Sequence, residues 1–165
     1  MAFKFGKASL FPFVSGYDKQ EIKTQIWCKL LSKSGKDLYM MQIEDARSKI
    51  FGVKGQDEEE IESIKEQMEN DMEKKFEWLN AVQMLTACSV IDKIENVSIT
   101  EEDALMLQID YVTKEGQDNA LCTLTKKEHI KTFMEENLSE EVLDEFTEWI
   151  HTNSLISLSE TDRKN

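Results

Sequence analysis

The sequence predicts a mainly α protein, with α+β as the competing class. One long central helix is expected, with smaller helices packed on its C-terminal half and a short N-terminal β or extended element before it. Three observations carry this. Residues 57–94 contain no Pro and no Gly and repeat apolar residues at three- and four-residue spacing. Several later stretches open on a capping residue followed by apolar residues at helical spacing. Strand-like alternation is confined to short runs, at 20–32 and 105–112.

The central stretch, Asp57–Ile94, reads DEEEIESIKEQMENDMEKKFEWLNAVQMLTACSVIDKI. Asp57 with Glu60 is a capping box, and Glu58 to Glu60 lie where the helix dipole favours negative charge. Ile61, Ile64, Met68, Met72, Phe76 and Leu79 follow along one face. At 1.5 Å per residue such a helix is roughly 55 Å long. It has two characters. From Asp57 to Glu73 a narrow apolar stripe runs along a rod with nine acids and one lysine. From Phe76 to Ile94 apolar residues wrap most of the circumference, the pattern of a buried helix, so this half is expected to be the spine of the core.

The other elements follow in order. Phe3, Phe5, Phe11 and Phe13 make an aromatic extended arm that closes over the core or docks on a partner. Residues 18–33 alternate as a strand would, although Asp18 with Glu21 also fits a helix start; strand is the preferred reading. Ser34–Asp37 reads as a turn, with Asp37 capping a helix through Phe51 and Gly52 ending it. Residues 52–56, GVKGQ, form a linker. Thr100 with Asp103 opens a helix over 101–115, for which a strand at 105–112 competes. Ala120–Leu124 is extended. Thr125 with Glu128 caps a helix carrying Ile130, Phe133 and Met134, and Ser139 caps a last helix with Val142, Leu143, Phe146, Trp149 and Ile150 inward. The organisation expected is one domain: a basic segment 1–54, an acidic helical region 55–152, and a mobile polar tail 153–165.

Charge restricts the function. The chain has 165 residues and a net charge of −13. Residues 1–54 hold ten basic and five acidic groups; residues 55–165 hold ten and twenty-eight. That second region repels a phosphate backbone, so nucleic acid is not expected as a partner. Nor is a membrane, since no run reaches the ~20 apolar residues of a span. Cys28, Cys88 and Cys122 are odd in number and widely spaced, which indicates neither a disulfide scaffold nor a zinc site and fits reduced thiols in the cytoplasm.

The residues give no chemistry. His129 and His151 lie on different helices without a second ligand at helical spacing, no calcium loop is present, and no metal or cofactor is expected. There is no Gly-x-Ser-x-Gly elbow, no Cys near a His in sequence, and no glycine-rich phosphate loop. The chain is expected not to be an enzyme. The candidate partner-binding residues are Ile61, Ile64, Met68 and Met72 on the acidic rod, where methionine adapts to varied surfaces, together with Phe3 and Phe5.

The order of parts adds a resemblance. An aromatic start (FKFGKASLFPF) precedes a basic β-like segment (IKTQIWCKLLSKSGKDLYMMQIEDA), then the acidic helix, then an acidic helical end (LTKKEHIKTFMEENLSEEVLDEFTEWI). Over roughly residues 3–150 this layout resembles the tail assembly chaperones of long-tailed bacteriophages, without a diagnostic motif. The resemblance implies a cytoplasmic chaperone that keeps the long helical tape-measure protein soluble while tail-tube subunits polymerise around it, and it implies no catalytic residues. A homo-oligomer is compatible with it. Two other classes remain open: an acidic inhibitor whose carboxylates at 57–73 and 135–148 mimic nucleic acid, and a structural subunit of a phage particle.

Overall fold

In the computed structural model the described residues are 10–153 and residue 155. They form an α+β fold, which corrects the mainly α expectation: six helices accompany a five-stranded antiparallel sheet. In chain order the elements are β1 (Leu10–Phe13), β2 (Gln25–Lys29), α1 (Lys33–Phe51), α2 (Glu58–Asn70), α3 (Met72–Val90) and β3 (Ile91–Ile99). Then come α4 (Glu101–Met106), β4 (Tyr111–Val112), β5 (Ala120–Leu124), α5 (Lys127–Asn137) and α6 (Glu140–Thr152). The chain divides into two compact units, one of Met1–Leu30 with Val90–Asn165 and one of Leu31–Ser89.

The single helix expected over Asp57–Ile94 is α2, α3 and the first residues of β3. The first break is at Asp71, whose backbone is extended (φ −133°, ψ 96°). Its N–H donates to the Gln67 carbonyl at 2.9 Å, closing α2, and its carboxylate accepts the Lys74 N–H at 3.2 Å, opening α3. An aspartate offers the backbone this alternative partner, so a helix can stop and restart without Pro or Gly. The second break is at Ile91, where the chain passes directly into a strand.

The sheet unit has strand order β1-β2-β3-β5-β4, with every neighbouring pair antiparallel. In β3 the buried residues are Ile91, Ile94 and Val97, three apart rather than two. Register shifts explain the spacing: pairing slips between Trp27 and Cys28 on β2 and between Ile94 and Val97 on β3. A bulge inserts a residue and resets the alternation. Asn96 sits in the second slip with φ 59°, a left-handed conformation that asparagine tolerates. Its side chain donates to the Lys23 carbonyl at 3.1 Å, and the Thr24 hydroxyl donates to its carbonyl at 3.2 Å.

One face of this sheet carries the core: Ile26, Cys28, Ile94, Val97, Cys122 and Leu124, with Ile130 and Met134 of α5 and Phe146 and Ile150 of α6 also buried. Phe13 joins β1 to α6, with ring centroids 4.9 Å from Phe146 and 5.5 Å from Trp149. The Ser15 hydroxyl and the Gly16 N–H donate to the Glu145 carboxylate at 2.6 and 3.0 Å, tying the loop after β1 to the same helix. The other sheet face is half-buried. There Lys93 lies 5.5 Å over the Trp27 ring and pairs with Glu95 at 2.6 Å, which holds that carboxyl below the usual range. Ser139 caps α6 and Thr100 caps α4, as their spacing predicts. The expected helix over 101–115 ends at Met106, and the N-cap residue of α5 is Lys126, which makes no side-chain cap, rather than Thr125.

In the helical unit, Ser32 caps α1 five residues before the expected cap at Asp37, through the Gly35 N–H at 3.1 Å. Gly52 ends it at φ 78°, a left-handed position that glycine occupies without strain. Antiparallel packing of α1 on α3 is fixed at both ends. Phe51 meets Trp78 edge-on at 5.9 Å, with the Arg47 guanidinium 5.5 Å over the same indole. Tyr39 and Thr86 share a hydrogen bond of 3.0 Å that satisfies the buried threonine.

Candidate functional site

The candidate site is an apolar strip along α2 and α3. Its base is set by the side of α2 that faces α1. There Gln67 donates to the Phe51 carbonyl at 3.1 Å and to the Ser63 hydroxyl at 3.2 Å, and accepts from the Lys74 ammonium at 2.8 Å. This one amide links the end of α1 to the two sides of the break at Asp71. Ile64, on the same side, is half-buried beside Gly55 and Arg47.

The neighbouring face is open. Ile61 and Met68 are seven residues apart on α2, and Met72, Phe76 and Leu79 follow at i, i+4 and i+7 on α3. Fractional exposure is 43% at Ile61, 54% at Met72, 58% at Phe76 and 48% at Leu79; Met68 is half-buried. A depression of about 340 Å³ lies at the break, lined by Lys65, Met68, Glu69, Met72 and Lys75. Residues 57–80 contain ten carboxylates and three lysines; two of those lysines, Lys65 and Lys75, line the depression beside the single carboxylate of Glu69.

The structure therefore separates the residues singled out from sequence. Ile61, Met68 and Met72 share the open face, while Ile64 turns toward the unit's own interior. Phe3 and Phe5 lie outside the described residues. Phe76 and Leu79, expected in the core, are exposed and extend the strip. Leu38 and Met41 on α1 are also exposed and were missed. A signal existed: both lie off the Tyr39, Ile43, Ala46, Ile50 face.

In the sheet unit Cys28 and Cys122 are buried rather than activated. Cys122 and His129 do line one cavity, of about 680 Å³, in the sheet unit. Burial pushes the Cys122 thiol up, opposite to what a nucleophilic cysteine needs. Cys28 is pushed up to about 12 by burial and by the Asp92 carboxylate. Among the described residues, no group of three or more His, Cys, Asp or Glu is placed to hold a metal ion. Among the same residues, no helix is long and apolar enough to cross a membrane. Strip geometry is thus the main guide to function, because no family model, curated protein or solved structure matches the chain.

Proposed function

We propose that this chain is a non-enzymatic assembly chaperone that holds a hydrophobic helical client on the α2–α3 strip, in the manner of the tail assembly chaperones its layout resembles. The client in that setting is the tape-measure protein, with tail-tube subunits as further partners in the host cytoplasm. One observation carries the reading: Ile61, Met72, Phe76 and Leu79 are exposed in a row on a helix pair that is otherwise strongly acidic. Exposed apolar side chains aligned at helical spacing suit a helix laid alongside them. Methionine at Met68 and Met72 lets the contact adapt along a long, varied client. The surrounding carboxylates keep both the free chaperone and its complex soluble.

Co-expression tests this. A long apolar helical client, such as a tape-measure protein, should stay in the soluble fraction when produced with the wild-type chain. It should precipitate when produced with the Met72→Asp, Phe76→Asp variant. Equal solubility with both would overturn the reading. A nucleic-acid mimic would instead bind through charge alone, and its complex would dissociate steeply with added salt whether or not the strip is intact.

A further inference from the structure

Between β3 and β5 the chain makes an excursion, residues 100–119, that is unrelated to the strip and belongs to the sheet unit. It carries three large apolar side chains that are more exposed than those of the strip, Met106 at 72%, Leu105 at 68% and Val112 at 67%, and a fourth, Leu107, that is exposed to a lesser degree. They are rigidly presented. The Thr100 hydroxyl accepts the Asp103 N–H at 3.1 Å at the start of α4. At its end Ile109 donates to the Ala104 carbonyl at 2.9 Å and Gln108 to the Leu105 carbonyl at 3.2 Å, the two bonds of a Schellman stop, with Gln108 left-handed at φ 55°. Val112 is on β4, the last strand in the sheet order, so no further strand lies beyond it among the described residues. Apolar groups held out by a fixed turn require little ordering on binding.

We propose that this tip is a second docking surface, and that it takes a lysine- or arginine-rich segment of a partner protein bearing two or three apolar side chains. Charge selects the occupant. The excursion holds six carboxylates, Glu101, Glu102, Asp103, Asp110, Glu115 and Asp118, against the single Lys114. A second copy of the chain would bring six more carboxylates to the contact, and an anionic lipid surface or nucleic acid would be repelled in the same way. A basic apolar segment satisfies both the uncovered side chains and the field around them. The chain then has two protein-binding faces, one on each compact unit.

The test uses the full chain with Met72→Asp and Phe76→Asp already in place, so that the strip does not contribute. The probe is a fluorescent, photoactivatable peptide alternating lysine with leucine and valine; its control has serine at the apolar positions. The apolar peptide should bind at least about tenfold more tightly than the control and cross-link within residues 100–114. Adding Met106→Asp and Val112→Asp should weaken it about tenfold or more with unchanged circular dichroism, the loss expected when central apolar anchors are removed. Glu101→Gln with Glu102→Gln, which leaves the apolar groups untouched, should weaken binding by a smaller factor and reduce its salt dependence. Equal binding of the two peptides would overturn the proposal, as would cross-links confined to other residues. So would sedimentation showing a dimer that Met106→Asp dissociates, since the occupant would then be a second copy.

Discussion

Lys74 donates to Gln67 across the break between α2 and α3, at 2.8 Å, while the same glutamine reaches the last carbonyl of α1 at 3.1 Å. Three helices are therefore tied through one partly buried amide, and the open strip inherits its geometry from that knot. Gln67→Ala leaves the Phe51 carbonyl and the Lys74 ammonium without this partner. A loss of about 1–3 kcal/mol is expected, read as a lower urea midpoint with unchanged slope. Gln67→Glu, which retains the acceptor for Lys74 but not the donor to Phe51, should fall between the two.

The sheet unit depends on aromatic contact between its first strand and last helix. Phe146 is fully buried and its ring centroid is 4.9 Å from that of Phe13. Phe146→Ala should cost about 3–5 kcal/mol, and Phe146→Leu markedly less because most of the volume is kept. Thermal unfolding followed at Trp149, which stacks on Phe146 at 6.0 Å, checks both.

Much of this fold is legible from residue spacing. Thr100, Ser139, Asp57 and Gly52 each sit where the sequence places a helix end, and Phe146 and Ile150 are buried as their periodicity predicts. The failures have physical causes. Asp71 interrupts the long helix because an aspartate can cap as readily as it can ride on an exposed face. Ile91, Ile94 and Val97 imitate a helical repeat because bulges turn a period of two into a period of three. Phe76 and Leu79 read as core on apolar density alone, and density does not tell a buried side from an exposed one. The strip itself was half legible, in Ile61, Met68 and Met72.

Alkaline pH should weaken the sheet unit through Cys28. Its thiol stays protonated to about pH 12 in the folded chain, against 9.0 for an ordinary thiol, because it is buried and faces Asp92. A raised folded value means the contribution is fully present below pH 9 and is lost as pH rises toward 12. Over that window the unfolded thiol ionises and the folded one does not, a slope of up to about 1.4 kcal/mol per pH unit. Urea midpoints of the wild type and Cys28→Ala between pH 8 and 10.5 should diverge in slope, the wild type falling more steeply. Parallel curves would contradict it.

The central claim is that the open face of α2 and α3 binds a helical client. Calorimetric titration of a client-derived amphipathic helix tests it most directly, using the wild-type chain, Met72→Asp with Phe76→Asp, and Glu59→Ala with Glu62→Ala as a control. These carboxylates belong to the same helix pair but not to its apolar row. The account predicts that the strip variant loses about a hundredfold or more in affinity while the control changes by only a few-fold, both retaining native circular dichroism. Undiminished affinity in the strip variant, or an equal loss in both variants, would contradict it.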